Sequence, residues 1–316
     1  FVKEGHKCIV FTNKRERAQR NAETLNKLFE KEEIDGRVEA VHGSLGPIMK
    51  SFITHEFCEN TSDVRVVVAT EAFIFGVDAE KCSLIFNEGP PPTLIHLAQQ
   101  QGRIRSNEFL SGERSYQHCI IVNESTFTFL VERCLNCTMP ADREKELKDL
   151  LEVLSYLIIP ECCQHVLLEQ YFSDFRDIPR GQVTGPCGNV CSFCNGAYHN
   201  RVIFDRDKVV NVLNNVMRHG VARPKEVVAA LHKNRGYIYG NEHHSTSQAN
   251  HLFLELIAVK ILEYCGRPRL HSHGLCWKRR HWQVEAAIRF HKITPYNHCV
   301  PVLAYTDNTR WDKIQR

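Results

Sequence analysis

The 316-residue sequence is 43% hydrophobic and 24% charged, a balance that excludes a disordered chain, and it is long enough for two or three domains with cores of their own. No apolar run approaches the roughly 20 residues of a spanning helix and no charged-then-apolar leader opens the chain, so no membrane role is expected; Phe1 in place of Met makes further residues ahead of it an expectation. The net charge of +3 conceals a split: residues 1–200 hold 21 Lys and Arg against 28 Asp and Glu (−7), whereas residues 201–316 hold 19 against 9 (+10), so the last third either faces a polyanion or carries a solvated basic surface.

Residues 1–135 alternate short apolar runs with amphipathic stretches, the pattern of a parallel sheet covered by helices. Cys8-Ile9-Val10-Phe11 predicts a buried strand, and Ala18, Ala22, Leu25, Leu28 and Phe29 then share one face of a helix running to about Glu32. Val38–Val41, Val64–Ala69, Leu84–Phe86 and Cys119–Val122 predict further strands. In 136–200, Pro140 opens a helical connector along Leu147, Leu150, Leu151, Leu154, Leu157 and Ile158 that stops at Pro160. The Gly- and Pro-punctuated stretch Pro179–Gly188 has too little apolar content for a core, which a bound metal would explain. In 201–292, helices are predicted over Val209–Val216, from Pro224 through Leu231, and from a Ser247 cap with Leu252, Leu256, Val259 and Ile261 packed inward. A β-compatible stretch, Cys276–Phe290, follows, and this order fits a winged helix; residues 293–316 form a basic tail without assignment.

The informative stretch runs from Val66 to Ser106, VVVATEAFIFGVDAEKCSLIFNEGPPPTLIHLAQQQGRIRS. A strand delivers Ala69-Thr70 to a loop whose small and hydroxyl side chains admit a phosphodiester backbone, and Gly76-Val77-Asp78 makes a turn bearing a carboxylate. Gln99-x-x-Gly102-Arg103-x-Arg105 then sets two guanidiniums beside a helix, where they can stabilise charge developing on a transferring phosphoryl group. The phosphate-cradling loop this chemistry needs is not in the sequence: Gly43–Ser51 has Lys50-Ser51 but Met49 where the glycine must stand.

With CIVFTNK at Cys8–Lys14, ATEAFIFGVD at Ala69–Asp78, QQQGRIR at Gln99–Arg105, and Pro91 eight residues before Gln99, the chain resembles the second RecA-like domain of superfamily 2 helicases, and within them the RecQ branch. The resemblance implies that Thr70 touches the tracking strand, that Gly76 and Asp78 belong to the ATP-coupled loop, and that Gln99, Arg103 and Arg105 face ATP and Mg2+ held by a first RecA-like domain in cis. It further implies a DNA helicase working 3′ to 5′ on single-strand/duplex junctions, in a nucleus or nucleoid. The family motif closes Q-x-x-G-R-x-G-R; here Arg105-Ser106 moves the second arginine one place forward.

Fourteen Cys without a secretory leader point to a reducing compartment, where clustered thiols bind metal more often than they form disulfides. Cys187-x3-Cys191-x2-Cys194, with Cys163 upstream on a helix ending in Tyr171-Phe172, offers four thiolates to one structural Zn2+. Cys162 competes with Cys163, whose nine-residue distance to Phe172 favours it. The RecQ zinc module has this shape, although its knuckle is usually C-x2-C-x2-C. In the basic third, Arg223 and Lys225 at a helix start and Trp277-Lys278-Arg279-Arg280-His281-Trp282 interleave cations with rings, as nucleic-acid binders do; Trp277 and Trp282 are read equally as wedges or as core, and Tyr237 and Tyr239 are further candidates. The expected fold is thus α/β: a RecA-like parallel-sheet domain, a helical zinc-binding module and a winged helix. Two functions remain: the back half of a RecQ-type helicase, inactive alone, or a motor-dead relative serving as a zinc-containing DNA-binding adaptor.

Overall fold

The computed structural model describes residues 6–73, 77, 79, 82–103, 117–160, 162–172, 187, 191–194, 204–217, 221–240, 246–259, 261–268 and 284–290. The chain divides into two compact units, 1–122 and 123–316.

The first unit runs β1 (Lys7–Thr12), α1 (Arg15–Lys31), β2 (Arg37–Val41), α2 (Pro47–Cys58), β3 (Val64–Ala69), a 3-10 turn (Glu71–Phe73), β4 (Cys82–Glu88), α3 (Leu94–Gln101) and β5 (Gln117–Ile121). The strands lie in the order β2-β3-β1-β4-β5, and each pairing is parallel. Successive side chains of a strand point to opposite faces. Ile9, Phe11, Val67, Ala69 and Ile85 therefore pack with Ile53 and Phe57 of α2, while Cys8, Val66 and Val68 pack with Ala18, Ala22 and Phe29 of α1. Covering both faces is why these strands read as unbroken apolar runs. This parallel sheet flanked by helices fits a RecA-like α/β domain.

Two details depart from expectation. Leu28, predicted on the buried stripe of α1, is 44% exposed: Ala18, Ala22, Leu25 and Phe29 keep successive spacings of four, three and four residues, and Leu28 falls one step to their side. The apolar periodicity does not anticipate α2, because Ile48, Met49 and Phe52 stand exposed beside buried Ile53 and Phe57. The chain travels one way from β1 to β2 and the other way from β3 across to β4 and β5. Strand order reverses at β1, and open α/β sheets bind ligands at the C-terminal strand ends around such a point.

The second unit contains α4 (Glu124–Leu135), α5 (Pro140–Ile158), α6 (Gln164–Phe172), α7 (Arg206–Val216), β6 (Val221–Ala222), α8 (Pro224–Lys233), α9 (Arg235–Tyr239), α10 (Thr246–Ala258), β7 (Leu262–Pro268) and β8 (Val284–Phe290). β6, β8 and β7 form an antiparallel sheet in that order. α4, which lies within the 1–135 span predicted for the sheet domain, packs on α5 and α10 and is part of this unit. Phe127, Leu130, Leu150, Leu154, Phe253 and Leu256 are buried here, and Tyr264 stacks against Phe127 and Phe253 while sharing a 2.9 Å hydrogen bond with the Thr128 hydroxyl. The helix predicted through Ile261 ends at Ala258, and β7 follows; Val259 and Ile261 are buried all the same.

Candidate nucleic-acid interface and metal centre

Thr12, Thr70 and Glu88 stand at the C-terminal ends of β1, β3 and β4. Thr70 anchors the turn that follows β3: its N–H donates to Val41 O (3.0 Å) and its carbonyl accepts from Phe73 N–H (3.1 Å). Thr12 and Glu88 are register partners, and the Glu88 carboxylate accepts from the Thr12 hydroxyl (3.0 Å), the Asn21 amide (3.3 Å) and the Arg17 guanidinium. At the end of β2, His42 Nδ1 lies 2.8 Å from Ser44 Oγ. Sequence reasoning passed over Thr12, Arg17, Asn21, His42, Ser44 and Glu88. For Thr12, His42, Ser44 and Glu88 the available signal was positional, since each lies at or just beyond the C-terminal end of a predicted strand, whereas Arg17 and Asn21 lie within α1.

Gly89, with φ +105°, makes the turn out of β4, and Thr93 caps α3 by accepting from His96 N–H (3.1 Å). α3 carries Gln99 and Gln100 and ends just before Arg103. The Arg103 guanidinium donates through Nη1 to Val77 O at 2.9 Å, which ties the arginine to the residue before Asp78. Gln99 Oε1 and Arg103 Nε are buried without a hydrogen-bond partner among the described residues, so the end of α3 and the residue just beyond it hold unspent polar groups. Gln100 faces inward: its Oε1 accepts from Asn87 Nδ2 (2.8 Å), and Asn87 Oδ1 lies 2.9 Å from His118 Nε2. Because the Asn87 amide is already the donor to Gln100, its oxygen must accept, which puts the His118 proton on Nε2. Burial pulls the His118 pKa down to about 4, so the ring is neutral. Gly76, Asp78 and Arg105 lie outside the described residues.

In the second unit the sulfur atoms of Cys163, Cys187, Cys191 and Cys194 all lie within 4.8 Å of one another, and Cys163 Sγ is 3.8 Å from Cys191 Sγ. Tetrahedral zinc with Zn–S bonds of about 2.3 Å requires S···S separations of about 3.8 Å, so the donor set fits that ion. Cys162, the competing thiol, stands outside this group and hydrogen-bonds weakly to Cys163 O at 3.8 Å. Cys163 directly precedes α6, and its carbonyl accepts from Leu167 N–H. Within the knuckle, Cys191 N–H and Cys194 N–H point at the sulfurs of Cys187 (3.3 Å) and Cys191 (3.4 Å), aligning backbone dipoles with thiolate charge. Burial opposes ionisation of Cys163, but donation from the N–H groups of Val166, Cys187 and His165 and from the Cys187 side chain holds its pKa down to about 6. Burial, with its hydrogen bonds to the other three thiols, pushes Cys194 up to about 12. With all four thiols on one tetrahedral ion, no position would be left for a substrate.

Arg223 and Lys225 flank the start of α8, where Glu226 accepts the Arg223 N–H at 2.9 Å. Lys225 is exposed and near Glu124, whose pKa is raised by burial and drawn back in part by this lysine. Tyr237 is half exposed with Lys208 Nζ 5.3 Å over its ring, whereas burial and Glu255 raise the pKa of the mostly buried Tyr239. Tyr237 is therefore the ring of this pair open to stacking. Trp277, Lys278, Arg279, Arg280 and Trp282 lie outside the described residues.

Residues 1–107, which hold the first four strands of the five-stranded unit, match the family model described as helicase conserved C-terminal domain. Among solved structures, the chain is similar to Mycobacterium smegmatis helicase Lhr bound to ssDNA and AMP-PNP, with 22% identity over 43% of this chain and 17% of that one and a TM-score of 0.33. It is also similar to the Pyrococcus furiosus Hef helicase domain (27% identity, 37% of this chain, 21% of that one, TM-score 0.27). A third is the E. coli DEAD-box protein SrmB bound to regulator of ribonuclease activity A (24%, 40%, 66%, TM-score 0.29). The chain spans about a sixth of the length of Lhr. No curated protein sequence matches it.

Proposed function

We propose that this chain, whose first 107 residues are a helicase conserved C-terminal domain, is the second half of a RecQ-like ATP-dependent DNA helicase. ATP and Mg2+ would be held by a first RecA-like domain in cis. Gln99, Arg103 and Arg105 would face the γ-phosphate, where a fixed guanidinium stabilises the charge that develops as the phosphoryl group transfers. The bond from Arg103 to Val77 O supports this role, because it couples the arginine to the residue next to Asp78 in sequence. Unwinding would run 3′ to 5′ at single-strand/duplex junctions, in a nucleus or nucleoid.

The observation that carries the RecQ assignment is the four-thiol cluster downstream of a helicase C-terminal domain. Zinc there would hold 163–194 together where apolar content is too low for a core. The order α7, β6, α8, α9, α10, β7, β8 supports reading the rest of the second unit as a winged helix. Metal analysis of the purified chain tests the assignment: about one zinc per chain is expected, with loss of zinc and lowered thermal stability in Cys187→Ser. A zinc-free, fully folded chain, or an unaltered Cys187→Ser, would sink it. Ser106, where the motif places its second arginine, favours the second reading, a motor-dead relative using the same zinc and basic units as a DNA-binding adaptor.

A further inference from the structure

Arg103 stands just beyond α3, where the helix no longer fixes the backbone. Its N–H donates at 2.9 Å to the Gln100 carbonyl, one of the last carbonyls that a helix leaves open. The Gln100 side chain runs the other way, to the Asn87 amide on β4, and Asn87 accepts in turn from His118 Nε2 on β5. One run of hydrogen bonds therefore leads from β5 across β4 to the backbone of the arginine, whose guanidinium is held at its other end by Val77 O. Asn87 and Gln100 are each 2% exposed. Burying two amides carries a desolvation cost that an apolar pair of the same shape does not, and what the amides add is direction, because a hydrogen bond fixes orientation and an apolar contact does not. His118 Nδ1 is buried without a hydrogen-bond partner among the described residues, so within that set the ring is committed to Asn87.

We infer that Gln100, Asn87 and His118 are positioning residues for Arg103, setting where its guanidinium stands by anchoring its backbone rather than by touching nucleotide themselves. Stabilisation of charge on a transferring phosphoryl group depends on the place of the guanidinium, and a misplacement of about 1 Å can cost about a hundredfold in rate. The sheet thereby reaches the reacting end of α3 through polar groups that the local motif does not contain. This role rests on the ATP-facing reading of Arg103 proposed above and names the groups that hold the arginine in place.

The test is steady-state, DNA-stimulated ATP turnover by the longer enzyme that the proposed function expects, with each variant also melted in this chain. Gln100→Met removes the acceptor at nearly constant length and is expected to lower kcat about tenfold or more while KM for ATP stays within about twofold. Gln100→Glu keeps an acceptor oxygen facing Asn87 and is expected to restore most of that loss. Added to Arg103→Ala, Gln100→Met is expected to cost no more than about twofold further, because a residue that acts through the arginine then has nothing to act on. His118→Phe, which removes the far end of the run and leaves α3 unaltered, serves the same comparison if Gln100→Met fails to melt cooperatively. If Gln100→Met turns over within about twofold of the native enzyme while Arg103→Ala is impaired, the inference is overturned and the reading of Arg103 stands. A loss that multiplies with that of Arg103→Ala, or that Gln100→Glu shares, overturns it as well, because Gln100 then acts elsewhere or only fills space. If the native enzyme shows no DNA-stimulated turnover, or Arg103→Ala leaves it unchanged, the reading of Arg103 and the inference fall together.

Discussion

His118, Asn87 and Gln100 form a buried polar chain in which each hydrogen bond dictates the next, and its far end holds the inner face of α3 while Gln99 and Arg103 lie on either side of it. A neutral, buried histidine couples this chain to pH. The His118 pKa is lowered from 6.5 to about 4 by burial. The unfolded chain therefore takes up a proton below pH 6.5 that the folded one resists: the contribution is complete above pH 6.5 and is lost as pH falls to about 4. Its ceiling is about 3 kcal/mol, from about 1.4 kcal/mol per pH unit. Urea unfolding across that window should show stability falling with acidity, and His118→Gln should flatten the slope; an unchanged slope would refute the assignment. Gln99 and Arg103 were legible in sequence because their spacing is local. Asn87 and His118 were not, because a pair separated by 31 positions meets only through the parallel register of β4 and β5.

Among the elements, α2 depends most on a residue distant in sequence. Lys7, 1% exposed, extends its ammonium to Phe57 O (2.5 Å) and Glu59 O (2.7 Å), satisfying carbonyls at the C-terminal end of α2, and passes 5.4 Å from the Phe57 ring centroid. Lys7→Met should strand those carbonyls and lower stability by about 2–4 kcal/mol in chemical denaturation. A loss below about 0.5 kcal/mol would mean that water replaces the lysine. The strands of the sheet could be read in advance because both of their faces are covered and their apolar runs are unbroken. α2 could not, since the exposed Ile48, Met49 and Phe52 blur its stripe, and β7 could not, since its start is masked by the apolar run that ends α10. The cysteine knuckle is intermediate: three thiols within eight positions mark a candidate metal site, while only the fold brings Cys163, and not Cys162, beside Cys191.

For the whole molecule, the division into a sheet unit and a helical, basic unit sets what each can be asked to do. In the longer ATPase expected from the proposed function, Arg103→Ala should lower DNA-stimulated turnover by about a thousandfold or more, as loss of a γ-phosphate-facing arginine does. Turnover within about twofold of the unaltered enzyme would remove Arg103 from the chemistry. By itself the sequence determined the α/β period, the arginine-bearing motif without a phosphate loop, the cysteine cluster and the segregation of basic charge, because each is written in local spacing or composition. Only the tertiary structure decided that Arg103 reaches Val77, that Gln100 turns inward to Asn87, and that Glu88 fills a ring of donors at the strand ends. Those outcomes depend on which strands become neighbours and in what register, and that is determined by burial of both sheet faces over the whole domain rather than by any short stretch of chain.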